Sequence, residues 1–203
     1  MYIPEIYLNE NQAEIEQFIH ENGFGILINQ TKGKLWATHI PLLLENKNDK
    51  QILVGHISKL NPQADSFKTN DDVLAIFSGA HSYISSSWYD HENVPTWNYL
   101  AVHVYGKVKL HSYEQSVEAL KSLVDKYELK SKNPVKVENL SEKTMREAHG
   151  IVSFEIEITR IESVKKLSQN RDNKNYKNII SELEKTNENQ SIEVAKAMKK
   201  NRP

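Results

Sequence analysis

Cysteine is absent from this chain of 203 residues. Its absence excludes disulfide bonds, thiolate catalysis and cysteine-ligated metal centres, and it fits a reducing compartment. No apolar run approaches the roughly 20 residues that are needed to span a bilayer. The first residues, MYIPEIYLNENQ, lack the basic and apolar regions of a signal peptide. The sequence therefore predicts a cytoplasmic protein that does not enter a membrane.

An excess of charge of either sign is also missing. The Lys+Arg total of 26 balances the Asp+Glu total of 27, and the formal net charge is -1. A self-sufficient DNA-binding protein usually carries a basic surplus, so any contact with nucleic acid has to come from a local patch. Hydrophobic residues make up 38% of the chain and charged residues 26%, which is typical of a soluble globular protein.

Signatures of metal and nucleotide binding are missing as well. The chain contains neither a Walker sequence nor a dinucleotide fingerprint. His39, His56, His81 and His103 could converge if their strands are neighbours, but no H-x-x-x-H or HExxH spacing occurs among them. We therefore expect no metal site.

Aromatic residues are concentrated in the stretch 77–106. It contains two of the three tryptophans, four tyrosines and three histidines. Rings can stack on a planar ligand while His, Ser, Thr and Asn bind its polar edge. This composition favours a site for a flat, conjugated ligand.

The order of predicted elements indicates an α+β protein with a mainly antiparallel sheet. Consecutive strands with short connections favour antiparallel pairing and a small closed or partly open barrel. We expect one barrel domain over 1–171 and a helical C-terminal extension over 172–203. The predicted strands are 24–29, 35–45, 51–57, 71–79, 97–111 and 151–164. The predicted helices are 9–22, a short one in 58–68, 113–128 with Ser112 as N-cap, 141–148, and one or two over 174–200 that separate near 187–189.

Two segments combine strand-like text with polar side chains. Thr38, His39 and Pro41 lie on the second strand, where Thr38 could bind a heteroatom of a ligand or serve as an ordinary β-branched strand residue. The segment 55–62, GHISKLNP, runs from a strand into a short helix. It predicts a phosphate site with unpaired backbone N–H groups and the charge of Lys59; the alternative is a solvated helix start.

The segment 165–171, KKLSQNR, follows the last strand and offers many hydrogen-bond donors for a phosphate or a planar amide edge. The alternative for this segment is a polar linker. Behind it, the apolar stripe of the tail predicts packing against the body of the protein or a second subunit rather than a membrane.

Taken together, these segments resemble the PaiB-type family of FMN-binding negative transcriptional regulators. The matching blocks are long, stand in the same order and run nearly from end to end. They are MYIP at 1–4, FGILI at 24–28, ATHIPLLLE at 37–45, GHISKLNPQ at 55–63, VLAIFSGAHSYISSSWY at 73–89, VPTWNY at 94–99, AVHVYG at 101–106 and KLSQNR at 166–171.

The resemblance implies a split β-barrel like that of pyridoxamine-phosphate oxidases, with FMN at the interface of a homodimer. Thr38 and His39 would lie along the flavin, and the phosphate would be held by basic and hydroxyl residues that follow one strand, here Ser58, Lys59 and Asn61. Trp97, Asn98 and Tyr99 would approach from a neighbouring position or from the other subunit. The candidate cofactor-binding residues are Thr38, His39, His56, Ser58, Lys59, Asn61, Trp97, Asn98, Tyr99 and Gln169.

This chain departs from the family pattern at two positions. Lys59 stands in a turn where the family commonly has arginine, and Ser86 stands where it often has proline. Lysine keeps the positive charge but loses the bidentate fork of a guanidinium, so we expect weaker binding of the phosphate.

The resemblance further implies a regulator that lowers transcription. If DNA is bound, the first candidates for the contact are Lys165, Lys166, Arg171, Lys174 and Lys177. The alternative is an enzyme, either a flavin-dependent oxidoreductase or a haem-degrading split-barrel protein, in which His39, His81, His103 or Tyr99 would act as acid or base. A third possibility is a non-catalytic dimer that binds another planar ligand.

Overall fold

The computed structural model describes residues 1–67 and 72–202. Six strands form a closed barrel in the order β1-β2-β3-β6-β5-β4, and the pairings of β1 with β2 and β4, and of β3 with β2 and β6, are antiparallel. The strands are β1 (Phe24–Thr31), β2 (Lys34–Lys47), β3 (Lys50–Ser58), β4 (Asp72–Ile84), β5 (Thr96–Leu110) and β6 (Ile151–Lys166). The predicted α+β class with a mainly antiparallel barrel is confirmed.

Helices occupy the connections and the C-terminal tail. They are α1 (Gln12–Glu21), α2 (Gln63–Ser66), α3 (Tyr113–Glu128), α4 (Glu142–Met145), α5 (Asn173–Lys185) and α6 (Asn189–Asn201). Ser112 caps α3 as predicted: its side chain accepts from the backbone N–H of Gln115, whose own side chain accepts from the N–H of Ser112.

Three elements differ most from the prediction. The helix predicted over 141–148 is an α-helix only over Glu142–Met145 and continues as a 3₁₀ helix over Arg146–Gly150. β4 continues to Ile84 instead of ending at residue 79, because the residues after Gly79 still alternate: Ser82 and Ile84 are buried while Tyr83 is exposed. The short helix covers only Gln63–Ser66, since β3 runs to Ser58. The predicted end of that helix at 68 and the predicted start of β4 at 71 lie outside the described residues.

The chain divides into two compact units. One, here called the barrel unit, consists of Ile19–Phe77 and Val104–Ile161. Inward side chains of its strands are fully buried and form its core, since residues two apart in a strand point to the same face. The largest of them are Leu27, Leu42, Leu53, Phe77, Phe154 and Ile156.

The other unit, here called the tail unit, consists of Met1–Phe18, Ser78–His103 and Glu162–Pro203. The apolar stripes of α5 and α6 pack in it on Ile84, Tyr89 and Leu167, so the stripe of the tail covers protein surface, as predicted. The Tyr176 hydroxyl donates to the Met198 carbonyl at 2.7 Å and ties α5 to α6. The predicted domain boundary after residue 171 stays a prediction.

In the described part of the chain, no helix is both long enough and apolar enough to cross a membrane.

A buried carboxylate in the barrel unit receives several cationic side chains. Glu155 on β6 forms ion pairs with Lys47 and with Lys109 at 3.3 Å, and the ring of His111, whose pKa is lowered by burial, lies at hydrogen-bond distance, 3.4 Å. Burial by itself would raise the pKa of Glu155, but the hydrogen bonds from Lys47, Lys109 and His111 outweigh it, and the pKa lies below its ordinary value of 4.5. The ionised form is therefore favoured by folding.

The lowered pKa of Glu155 predicts a loss of stability in acid. Because the folded pKa lies below the unfolded one, the contribution is complete above about pH 4.5 and is lost as the pH falls through the folded value. We expect Glu155→Gln to be less stable than the wild type at neutral pH and the gap to narrow in acid, measured by urea unfolding. Glu157→Gln, at an exposed position of β6, is the control; an equal pH dependence of both variants would contradict the prediction.

Candidate functional site

The turn between β3 and α2 is held by its own hydrogen bonds. The backbone N–H of Lys59 donates to the Gly150 carbonyl at 2.9 Å, that of Leu60 to Ser58 Oγ at 3.2 Å, and that of Asn61 to the Ser58 carbonyl at 3.0 Å. The next N–H, of Gln63, donates to Asn61 Oδ1 at 3.0 Å. The prediction of unpaired backbone N–H groups was therefore wrong: polar groups within reach satisfy them.

Two side chains of the turn keep donors for a ligand. The Ser58 hydroxyl accepts one hydrogen bond, and since no described residue receives its proton, it can donate that proton to a ligand. The ammonium group of Lys59 is exposed, and among the described residues it has no ion pair or hydrogen bond. One hydroxyl and one ammonium close together suit an anion such as a phosphate.

Thr38 of β2 lies next to this turn. Its hydroxyl accepts from Asn61 Nδ2 at 2.9 Å and donates to Gln63 Oε1 at 2.6 Å. The structure thus places Thr38 beside Asn61, in the turn that also contains Ser58 and Lys59; their part in binding a cofactor stays a prediction. Because the single hydroxyl proton of Thr38 is already used, Thr38 can accept from a ligand but cannot donate to it.

His39 and His56 have different surroundings. His39 is exposed and lies on the opposite face of β2 from Thr38, where its ring stacks on Phe24 with 6.2 Å between centroids. His56 on β3 is half-buried, and burial lowers its pKa, so the imidazole is neutral at pH 7. A neutral imidazole has one donor and one acceptor to offer.

Trp97 belongs to the tail unit and is part of an aromatic cluster. Its ring is 52% exposed, and it contacts Tyr83 edge-on at 5.9 Å and His81 at 6.2 Å between centroids. These rings come from β4 and β5. An exposed cluster of this kind can stack on a planar group.

The neighbours of Trp97 on β5 are less accessible. Asn98 is fully buried; its Oδ1 accepts from Ser168 Oγ at 3.1 Å and its Nδ2 donates to Met198 Sδ at 3.5 Å. Tyr99 is half-buried. Gln169 closes the turn after β6, where it accepts from the Leu167 N–H at 2.7 Å and donates to the Lys165 carbonyl. Their part in binding a cofactor stays a prediction.

Most cations of the segment 165–177 contact neighbouring residues. Lys165 pairs with Glu14 at 2.6 Å, Lys166 donates to Thr96 Oγ1 at 2.6 Å, and Lys174 pairs with Asp90 at 2.8 Å. The guanidinium of Arg171 lies 5.0 Å from the ring centroid of Tyr89. Lys177 is exposed on α5. Burial and the nearby Arg171 lower the pKa of Lys166, whereas the hydrogen bond to Asp90 raises the pKa of Lys174.

Sequence reasoning did not single out the buried polar residues behind the turn. Gln63, Asn29 and Ser66 are buried and bonded to one another. One signal was available: the inward positions of β1 change from Leu27 to Asn29 and Thr31, so its buried face turns polar. Among the described residues, no group of three or more His, Asp or Glu side chains could hold a metal ion.

The chain matches known proteins over most of its length. Residues 1–160 match the family described as "Putative FMN-binding domain". The protein named "Protease synthase and sporulation protein PAI 2" from Bacillus subtilis (strain 168) is 42% identical over 199 residues, which cover 98% of this chain and 96% of that protein.

Solved structures support the fold. A flavocytochrome from Azotobacter vinelandii superposes with a TM-score of 0.64 at 13% identity, over 87% of this chain and 78% of its own. The FAD and haem binding protein from Mycobacterium smegmatis gives 0.61 at 12% identity, over 79% and 73%. This likeness concerns the fold and confirms the predicted split β-barrel.

The family match also confirms the resemblance drawn from the sequence blocks, and with it FMN as the cofactor. The chain belongs to the PaiB-type family of FMN-binding domains.

Proposed function

We propose that this protein is a cytoplasmic, homodimeric FMN-binding regulator of transcription, in which the turn at Ser58 and Lys59 binds the phosphate of the cofactor. One observation carries the placement of the phosphate: the two side chains of the turn with donors left over are a hydroxyl and an unpaired ammonium, next to each other in the chain. Family membership supplies the identity of the ligand.

The donor set of the turn fits the phosphate of FMN. A phosphate monoester near neutral pH presents mainly oxygen acceptors, and the Ser58 hydroxyl and the Lys59 ammonium can each donate to them. Thr38 can accept from an N–H or hydroxyl of the ligand, and the neutral His56 can do either. Bound FMN would supply redox chemistry or a coloured, planar sensor group.

A homodimer is supported by the exposed first half of β2. Leu35 is 81% exposed and Trp36 38%. Leu60, in the turn between β3 and α2 that we propose binds the phosphate (the phosphate turn, 58–62), is 92% exposed. Large apolar side chains that remain exposed on a strand and on the adjoining turn are typical of a surface that another chain covers. We assign this surface to a second copy of the chain.

The regulatory role is inferred from the resemblance to the PaiB-type family and from kinship with the Bacillus subtilis protein, whose name refers to a protease synthase and to sporulation. We propose that direct contact with DNA, if the regulator makes it, uses the exposed face of α5 around Lys177. Lys174 is near Lys177 in the chain but forms an ion pair with Asp90, and Lys165 forms an ion pair with Glu14. The resulting patch is small, which fits a protein without a basic surplus.

The alternative function is a flavin-dependent oxidoreductase. One assay distinguishes this function from that of a regulator, because a flavin-dependent oxidoreductase would consume NAD(P)H only when flavin is bound. His39 is an exposed acid-base candidate, whereas His103 and Tyr99 are half-buried. No consumption of NAD(P)H by the flavin-bound protein would favour the regulator.

The phosphate assignment predicts a specific effect of Lys59. We expect Lys59→Ala to weaken FMN binding by about tenfold or more, because a charge-assisted hydrogen bond to the phosphate is lost. Lys59→Arg should bind at least as tightly as the wild type, since a guanidinium can form two parallel bonds. The measurement is the quenching of flavin fluorescence in a titration. Lys130→Ala, another exposed lysine of the barrel unit, is the control, and equal affinities of both alanine variants would refute the assignment.

The dimer surface predicts that one charged side chain dissociates the protein. We expect Leu35→Lys to lower the mass in solution from that of two chains to that of one, because a lysine at the interface has to lose its hydration. Light scattering after gel filtration measures the mass. Leu129→Lys is a matched control, since Leu129 is also 81% exposed but lies at the end of α3. A wild type that is already monomeric would rule the surface out.

The DNA contact predicts an effect of Lys177. We expect Lys177→Glu to weaken binding of promoter DNA and to reduce the salt dependence by about one unit of log-log slope, as for one lost phosphate contact. Fluorescence anisotropy measures both quantities. Lys130→Glu changes the net charge equally and serves as control; identical behaviour of the two variants would exclude the patch on α5.

A further inference from the structure

Gln63 is an unusual residue for its position. It follows the phosphate turn directly, yet its exposure is 0%. A buried amide without partners would cost several kcal/mol on typical scales. Here both ends have partners: Nε2 donates to the Leu27 carbonyl at 3.2 Å and to Asn29 Oδ1 at 3.1 Å, while Oε1 accepts from Thr38 at 2.6 Å. The side chain therefore joins the turn to β1 and β2.

A second group of bonds fixes the backbone of Gln63. Asn29 Nδ2 donates to Ser66 Oγ at 2.6 Å, and Ser66 Oγ donates to the Gln63 carbonyl at 2.6 Å. Asn29, Gln63 and Ser66 thus form a closed ring of hydrogen bonds. Such a ring holds one geometry, because any rotation of a member leaves a buried polar atom unpaired.

The relay continues from Gln63 to the ligand-facing turn. Gln63 Oε1 accepts from Thr38, and Thr38 Oγ1 accepts from Asn61 Nδ2 at 2.9 Å. Asn61 in turn is bonded through its N–H to the Ser58 carbonyl at 3.0 Å. Three residues, Gln63, Thr38 and Asn61, therefore link the barrel wall to Ser58, and none of these three needs to contact the phosphate.

We propose that Gln63 is a positioning residue that makes the turn selective for phosphorylated flavin. The inference rests on the proposed function of the turn. Its reason is preorganisation: Ser58 and Lys59 bind an anion most strongly when they are held in place before the ligand arrives. Riboflavin has the same ring system without the phosphate, so its binding does not depend on the turn.

The ratio of the dissociation constants of FMN and riboflavin tests this role. We expect Gln63→Leu, which keeps the volume but removes the amide, to weaken FMN binding about tenfold and riboflavin binding by less than about twofold. Ser116→Ala is the control, since it removes a different buried side-chain hydrogen bond of the barrel unit, from Ser116 Oγ to the Ser112 carbonyl. Thermal unfolding of each variant reports any general loss of stability.

A second pair of variants covers the case in which Gln63→Leu does not fold. Thr38→Val breaks the same relay near the surface, whereas Thr38→Ser keeps the hydroxyl and should restore the preference for FMN. The double variant Gln63→Leu with Thr38→Val should lose no more than either single variant, because the two residues act in one chain of bonds.

The outcomes separate the inference from the proposed function. The positioning role alone would be overturned if the wild type prefers FMN and Gln63→Leu keeps the same ratio of FMN to riboflavin affinity. If Gln63→Leu does not fold, the same result for Thr38→Val would overturn it. A folded wild type that does not bind FMN would overturn both.

Discussion

Pairing of β1 on both edges is the constraint on which the rest of this structure depends. The strand pairs with β2 from Phe24 to Thr31 and with β4 at Ile26, Leu27 and Ile28, which closes the barrel. Because both edges are occupied, the alternate side chains of β1 have to point inward. Leu27 enters an apolar core, but Asn29 enters the same interior as an amide and needs partners there. Gln63 and Ser66 supply them, and the turn between β3 and α2 is attached to the barrel as a consequence.

A turn with satisfied backbone groups leaves recognition of an anion to side chains. Phosphate sites at glycine-rich loops use several backbone N–H groups. Here the N–H groups of Lys59, Leu60 and Asn61 hold the turn together instead. These bonds make the turn rigid but leave fewer backbone N–H groups to donate to an anion. The side chain at position 59 would therefore contribute more to anion binding than it would in a glycine-rich loop. The lysine in this chain, where the family commonly has arginine, falls at this sensitive position.

Several cationic side chains of the tail unit contact other residues of the same unit. Ion pairs engage Lys165 and Lys174, and a ring faces Arg171. A sequence with nearly equal numbers of acidic and basic residues can therefore present little positive charge to a ligand, even in a segment that is rich in lysine. For a regulator of this family, this favours a mode of action in which the cofactor state, the dimer or a partner protein contributes to recognition, beyond electrostatic attraction to DNA alone.

The sequence by itself determined what depends on neighbouring residues. The Ser112 cap of α3, the alternation that defines β6 and the division of the tail near 187–189 were all predictable, because each rests on a local pattern. The tertiary structure decided the partners. Gln63 meets residues 25 and 34 positions away in the chain, Thr38 and Asn29, the Lys59 N–H goes to Gly150, and Asn98 turns inward to Ser168 and Met198. No local sequence pattern predicts such contacts, because the sequence does not show whether a polar side chain binds a ligand, water or another buried polar group.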